Sequence, residues 1–391
     1  MKTLVIDAIF FQINEWSGIA KYWLTLLKEL DIYLLNNQSL TVYVLVRGPS
    51  RCIRNHHFKN IQILPISYFD SICALSDFEE LGIICESLNA DYFISTYYTL
   101  APNIKNIGMA YDFIPEAMSA MQEPIWKVKQ IYMSKIKACI SISQSTSRLA
   151  SIFYPNLVSD SRLIMYPPFS SDEYRNIDYS EKQSFRDKYD IKYPYAAVIG
   201  HRGSYKNFNL LTEALHSRSV QENKLFAGIV VTSGEDLTND EIALFQNHFK
   251  FGIKRLRLES NEIPIFLNQA ECLFYPSLHE GFGYPVAEAF LQSCPVITTG
   301  ATSIGEILEQ AESNDYIKIL GYDSKEALES IIKLLHCNRR VSLSTKERTK
   351  DEYCTNKADE FVKILSYAAH EASTPNLLDL KECIALDGLI A

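Results

Sequence analysis

The chain has 391 residues, 47% hydrophobic and 22% charged, the balance of a soluble protein able to fill the cores of two compact domains. This composition excludes disordered and low-complexity architectures, and a net charge of −9 argues against nucleic acid, whose phosphates are held by clustered Lys and Arg. The charge is uneven: residues 1–170 carry 14 cationic and 14 acidic side chains, leaving 24 and 33 for residues 171–391.

In chain order, short β-branched or aromatic runs alternate with longer amphipathic stretches, which predicts α/β layers around parallel sheets. Strands are expected near Thr3–Asp7, Thr41–Val46, Ile61–Leu64, Tyr92–Ser95, Ile107–Tyr111 and Cys139–Ser143, with helices over Ile19–Leu30 and Pro124–Lys137 among them. The paired prolines Pro167-Pro168 mark a linker. A second series follows at Tyr195–Gly200, Phe226–Thr232, Ile253–Leu258, Cys272–Tyr275 and Pro295–Thr298, and helical pattern dominates from Lys325 to His370. The domains are therefore placed at 1–170 and 171–370. The closing segment, apolar at Leu377, Leu378, Leu380, Ile384, Leu386 and Leu389, is expected to pack back on one of them. Two doubly wound domains facing across a cleft would bind ligands at the carboxyl ends of their strands.

Nine cysteines without a C-x-x-C pair, Cys73 and Cys383 among them, sit mostly in apolar runs, which suits a reducing cytoplasm. Asp7 interrupts the opening apolar run, so no signal peptide is expected, and the uncharged stretch Ala289–Gly305 contains Pro295 and Gly300 and is no membrane span. Lys127, Lys129, Lys135 and Lys137 alternate with Trp126, Ile131, Tyr132 and Met133. That pattern fits either a peripheral contact with anionic lipid on the inner membrane face or an amphipathic helix with a solvated lysine face. His56-His57 has no third ligand at metal spacing and reads as solvated.

Four segments carry chemistry. In Tyr275-Pro-Ser-Leu-His-Glu-Gly-Phe-Gly-Tyr-Pro-Val-Ala-Glu288, a strand ends in a glycine-rich loop and Pro285 opens a helix. Gly281 and Gly283 let the backbone approach a ligand, a helix N-terminus receives anions, and Glu280 and Glu288 accept hydroxyl hydrogens. Together they suit a ligand that carries both hydroxyls and phosphates. Gly200-His-Arg-Gly-Ser-Tyr-Lys-Asn207 brings Arg202 and Lys206 to a turn, cations suited to a diphosphate. Ser17-Gly18 precedes a helix and would let backbone near a phosphate, although no G-x-G-x-x-G occurs. Asp112 ends an apolar strand, either facing a ligand or capping the next turn.

The block Glu280-Gly-Phe-Gly-Tyr-Pro-Val-Ala-Glu288 resembles the E-x7-E signature of retaining glycosyltransferase family 4, with its two-domain GT-B fold. Gly200–Asn207, Tyr111–Glu116 and Ser17–Tyr22 extend the likeness in the expected order. The resemblance implies that Glu288 holds ribose hydroxyls, Glu280 contacts the transferred sugar, and Arg202 and Lys206 neutralise the leaving diphosphate. Backbone around Gly281, Phe282, Gly283, Tyr284, Pro285 and Val286 would assist, Gly18 would approach the phosphates, and Asp112 would face the sugar or acceptor hydroxyl. No D-x-D occurs, so neither metal nor cofactor is expected. The expected activity moves a hexose, with retention, from GDP-mannose or a UDP-hexose to a glycan or lipid-linked saccharide. A GT-B epimerase or phosphorylase, or a silent nucleotide-sugar-binding subunit, are the alternatives.

Overall fold

The computed structural model describes residues 1–70, 74–119, 121, 123–158, 160–218, 224–337 and 340–386, the last five as backbone only. It divides into two units, one formed by Met1–Pro168 with the chain from Asn356 onward, the other by Phe169–Thr355.

The first unit is built on β1 (Lys2–Asp7), β2 (Leu40–Arg47), β3 (Ile61–Ile66), β4 (Tyr92–Ser95), β5 (Lys105–Ala110) and β6 (Cys139–Ser141). The second has β7 (Tyr195–Ile199), β8 (Gly228–Thr232), β9 (Ile253–Leu256), β10 (Cys272–Tyr275), β11 (Val296–Thr298) and β12 (Tyr316–Lys318). The sheet orders are β3-β2-β1-β4-β5-β6 and β12-β11-β10-β7-β8-β9, with every pairing parallel. Both are the doubly wound order, which reverses between β1 and β4 and again between β7 and β10. Helices cover both faces, so the central strands are apolar throughout rather than alternating: Leu4, Val5 and Ile6 in β1 and Cys272, Leu273 and Phe274 in β10 are fully buried.

The strand β12 has no counterpart in the sequence reading. Its three residues, Tyr316-Ile-Lys, lie at a sheet edge and are only partly buried, too short and too polar to announce themselves. The helical region from Lys325 is three helices, Ser324–Cys337, Leu343–Tyr353 and Lys357–Glu371. Ser342 caps the second through the Thr345 N–H at 3.2 Å and Asn356 the third through the Asp359 N–H at 3.3 Å. The domain boundary differs accordingly, because residues 356–370 belong to the first unit. The helix Lys357–Glu371 buries Phe361, Ile364, Leu365, Ala368 and Ala369. Phe361 meets Trp23 of the helix Gly18–Asn36 edge-on at 6.4 Å, and the Lys357 N–H donates to Glu29 at 2.9 Å. Beyond it the chain bridges β5 at Asn106–Ser373, and the fully buried Leu380 packs in a cluster with Phe78, Tyr132 and Met133. Leu389 lies outside the described residues, as do Cys73 and the side chains of Cys383, Ile384 and Leu386.

The helix Pro124–Lys135 buries one face and leaves Pro124, Gln130 and Ser134 exposed on the other, with Lys127 and Lys135 half-buried between them. Val128, Ile131, Tyr132 and Met133 are buried, and Lys129 is fully buried, donating to Glu116 at 2.8 Å and to the Asp112 carbonyl at 3.1 Å. Lys129 therefore does not belong to a solvated lysine face, whereas Lys137, just beyond the helix, is exposed. Among the described residues no helix is long and apolar enough to cross a membrane. Seven described cysteines are free, and burial pushes the thiols of Cys85, Cys139 and Cys294 up to about 12.

One ionic network anchors the first sheet. Arg47, with no exposed surface, grips Asp7 bidentately (Nε–Oδ1 2.8 Å, Nη2–Oδ2 2.9 Å) and also bonds Asp77. Thr99 adds a hydroxyl to Asp7 at 2.6 Å. Two buried carboxylates share one guanidinium, and burial, aided by the charges of Asp7 and Glu80, raises Asp77 from 3.8 to about 6 despite Arg47. Arg47→Met strands both acids and should cost about 3–5 kcal/mol in urea unfolding. Because the Asp77 value is raised in the folded state, its favourable contribution is complete below 3.8 and is lost as pH rises through about 6. Wild type should therefore lose stability relative to Asp77→Asn across that interval. A pH-independent difference between the two would refute the assignment.

Candidate active site

The second unit gathers its polar loops where its strand order reverses, at the carboxyl ends of β7 and β10. After β7 the chain turns through Gly200 at φ +105° and a short 3-10 turn, Ser204–Lys206, to Asn207, which is left-handed at φ 58°. Gly234, after β8, crosses this turn so closely that a Cβ on it would stand 2.8 Å from the Gly200 carbonyl oxygen. After β10 come Pro276–Glu280 and the glycine-rich segment. The Leu278 N–H donates to the Tyr205 carbonyl at 2.8 Å and Asn207 Nδ2 to the Gly321 carbonyl at 2.9 Å. The first bond joins the two loops by backbone, and the second ties the turn after β7 to the segment after β12 through a side chain.

The side chains meet at the same place. Lys206 Nζ lies 2.6 Å from Glu280 Oε1 and 2.8 Å from the Tyr275 hydroxyl, which itself donates to Glu280 Oε1 at 2.7 Å. Only 16% of the lysine side chain and 10% of the glutamate are exposed. Burial, then the charge of Glu280 and its hydrogen bond, hold the Tyr275 hydroxyl well above its ordinary range, with Tyr205 and Glu288 adding to the effect. Tyr275 is therefore a neutral donor at working pH. Glu288 lies half-buried on the helix Tyr284–Leu291.

That helix starts as its sequence demands. Gly283 caps it at φ +102°, a conformation costly for other residues, and Pro285 occupies the second position, where no intrahelical donor is needed. Gly281 and Phe282 are buried, the Phe282 ring meeting Tyr353 at 5.2 Å and Tyr284 at 5.6 Å. The Val286 N–H is spent on the Gly283 carbonyl at 3.0 Å and Pro285 has none, so neither can serve the anion-binding role expected of them.

Arg202 departs from expectation. Its side chain is 7% exposed and turns away from Glu280: Nε donates to Glu241 at 2.9 Å, Nη1 to the Glu235 carbonyl at 2.8 Å, and Nη2 to the Asp236 carbonyl at 2.9 Å. The guanidinium fork matches this ring of acceptors after β8, whereas the single charge of Lys206 matches Glu280. His201 is tied to Glu235 in the same loop at 2.7 Å and holds that carboxyl down at about 2.

Three contributors were not singled out in the sequence. Tyr275 is the last residue of a central strand, a position that aims a side chain at the carboxyl edge. The Thr302 hydroxyl both accepts from the Glu280 N–H (3.0 Å) and donates to its carbonyl (3.1 Å), and Ser303 donates to the same carbonyl at 2.9 Å. Thr302 stands at φ 51°, ψ −132°, a strained conformation for a β-branched residue. The signal was their place just after β11, also at the carboxyl edge.

Gly18 and Asp112 lie in the first unit. Gly18 is the exposed first residue of its helix, and Ser17 caps it through the Ala20 N–H at 3.4 Å. Asp112, half-buried just past β5, accepts the Ile114 N–H at 3.1 Å, so it does cap the following turn.

Residues 180–352, nearly all of the second unit, match the model of a family described as glycosyl transferases group 1. The serotype-specific mannosyltransferase WbdA of Escherichia coli is 22% identical over 314 residues, covering 76% of this chain and 37% of WbdA. The chain therefore spans little more than a third of the length of the curated relatives it matches. Among solved structures, sucrose-phosphate synthase from Thermosynechococcus elongatus superposes with a TM-score of 0.71 at 11% identity, over 94% of this chain and 99% of that one. Anabaena Alr3699/HepE in complex with UDP and glucose gives 0.60 at 14%, over 99% and 98%. WaaG, a glycosyltransferase involved in lipopolysaccharide biosynthesis, gives 0.61 at 13%, over 94% and 99%. The fold is thus of the GT-B class, with two Rossmann-like domains.

The Arg202 geometry has a direct consequence. Arg202→Met should lower stability by about 1.5–3 kcal/mol, the scale of a charged hydrogen bond left unmade. A variant as stable as wild type would mean that the contacts to Glu241 and the two carbonyls hold nothing together.

Proposed function

We propose that the chain is a retaining, metal-independent glycosyltransferase that moves a hexose from a nucleoside-diphosphate sugar to a glycan or lipid-linked saccharide. The observation carrying this reading is the Lys206–Glu280–Tyr275 cluster on the E-x7-E loop, at the point where a doubly wound sheet receives its ligands. Breaking an anomeric C–O bond places positive charge on the sugar and negative charge on the departing diphosphate. An ammonium has three N–H donors; two of Lys206's are used on Glu280 and Tyr275, and the third suits a phosphate oxygen. A cation fixed in a partly desolvated pocket stabilises the leaving group without reorganising. Glu280, held from behind by Thr302 and Ser303, is assigned to the transferred sugar, and Glu288 to the ribose. Arg202 is assigned to holding the loop that presents Lys206. Its diphosphate role would require it to leave Glu241 when ligand arrives. Gly18 and Asp112 keep the parts that the resemblance implies, toward phosphate and toward sugar or acceptor hydroxyl.

The likeness to WbdA supports mannose from GDP-mannose, and the UDP complexes of Alr3699/HepE keep a UDP-hexose in play. Synthesis of a surface polysaccharide at the inner face of the membrane would suit either donor.

Thermal shift with UDP, GDP, ADP and TDP separates the bases: the cognate nucleotide at a hundredfold excess over Kd adds about 2.7 kcal/mol. No shift with any of the four would remove the basis of the proposal. Lys206→Ala should lower kcat by about 10²–10³. Glu288→Ala should weaken nucleotide binding, whereas Glu280→Ala should mainly slow transfer, and a reversed pattern would exchange their roles. Activity should survive EDTA; strict dependence on added Mn²⁺ or Mg²⁺ would contradict the metal-free route.

A further inference from the structure

Tyr275 is buried at the end of β10, and a buried phenol needs a partner for its hydroxyl. Other buried tyrosines of this chain find theirs on backbone. Tyr195, in the neighbouring β7, donates to the Phe266 carbonyl at 2.6 Å, and Tyr132 accepts the Met109 N–H at 2.9 Å. Among the described residues the Tyr275 hydroxyl bonds no backbone: it accepts from Lys206 Nζ at 2.8 Å and donates to Glu280 Oε1 at 2.7 Å. Both of its hydrogen bonds go to the ionised side chains of the candidate site.

With the 2.6 Å contact between Lys206 and Glu280, these bonds close a triangle. Its corner at Glu280 is a single oxygen. Oε1 takes both donors, and among the described residues none reaches Oε2. Lys206 Nζ stands 5.0 Å from the Tyr275 ring centre and 5.2 Å from that of Tyr205, and its third N–H is left over. Coulomb attraction by itself favours another arrangement. A carboxylate has two oxygens and an ammonium three N–H groups, so an unrestrained pair can swing into contact through both oxygens at once. A pair closed in that way has little left to offer a ligand. The phenol prevents the swing by taking one N–H of the lysine and one lone pair of Oε1. Only a group that accepts and donates together can do this, and phenylalanine can do neither.

We infer that Tyr275 is a positioning residue: its hydroxyl holds Lys206 and Glu280 in a one-oxygen contact, which keeps Glu280 Oε2 for a hydroxyl of the donor sugar and the third Lys206 N–H for the diphosphate. The inference rests on the glycosyl-transfer reading and adds to it the group that keeps the ion pair open.

The test is donor hydrolysis by the full chain, with GDP-mannose and UDP-glucose as probes and water in the acceptor's place. Tyr275→Phe keeps the ring and removes the hydroxyl alone. It should lower kcat about tenfold to a hundredfold, the scale of a misplaced reacting group, while KM changes by less than about twofold. In a Glu280→Ala background the same change should cost nothing further, because the oxygen it aims is gone. Tyr195→Phe is the benchmark for a buried hydroxyl that ties the fold, and should lower the melting temperature with kcat unchanged. An unchanged kcat in Tyr275→Phe, a loss that falls on KM, or the same factor lost with and without Glu280 overturns the inference. So does a Tyr275→Phe chain that melts well below Tyr195→Phe, the mark of a structural tyrosine. If the wild-type chain hydrolyses neither donor, the glycosyl-transfer reading fails and the inference goes with it. Hydrolysis by wild type together with any of the contrary results sinks the inference alone.

Discussion

The second unit is organised around one short contact, the 2.6 Å approach of Lys206 to Glu280. The two residues are 74 positions apart and follow strands that are neighbours in space but not in sequence. They can meet because the sheet is wound outward in both directions from β7 and β10, leaving the loops after these two strands to turn toward each other. The same winding explains why the chemistry collects here and not along the sheet. Parallel strands clothed by helices bury both faces, and only their ends can present polar groups.

Holding such a pair half out of water carries a penalty that Coulomb attraction alone does not remove. The structure offsets it with additional hydrogen bonds. Tyr275 reaches both partners, and Thr302 and Ser303 fix the Glu280 backbone from the far side. The strain recorded at Thr302 is consistent with this arrangement, because relaxing its φ would withdraw the hydroxyl that both donates to and accepts from Glu280. Gly283 and Gly200 take conformations that side chains resist, and Gly234 permits a backbone approach that any Cβ would block. The site is thus more a product of backbone shape than of a large number of charged groups.

What the sequence disclosed follows from this. Glycine, proline and glutamate at fixed spacing are backbone instructions, so the Glu280–Glu288 turn and the Gly200–Asn207 turn were legible, as was the alternation that makes two α/β series. What failed to show were long-range choices between equivalent partners. Arg202 and Lys206 look alike in sequence, and only the segment after β8, with Glu235 and Asp236 in its loop and Glu241 in the first turn of the helix Asn239–His248, decides which of them is captured. Lys129 looked like a surface lysine because its partner Glu116 sits 13 residues away on another element. The helix Lys357–Glu371 shows by its periodicity that one face is buried, but nothing in that period says which unit receives it. The strand β12 was lost to shortness, and Thr302 to a segment that reads merely as uncharged.

The acidic surplus of residues 171–391 takes on meaning against the proposed chemistry. Arg202 and Lys206 are each matched with a carboxylate, so the region around the E-x7-E turn carries no excess positive charge to collect anions indiscriminately. A diphosphate must instead bring more than charge. Under the proposed function it would present oxygens to Lys206 while the attached sugar and ribose would satisfy Glu280 and Glu288. Phosphate alone would meet two carboxylates with nothing to offer them. On this view the acids do not oppose the cation but set the terms on which it is shared, and selectivity for a sugar nucleotide over simpler phosphates arises from the penalty they impose on any ligand without hydroxyls.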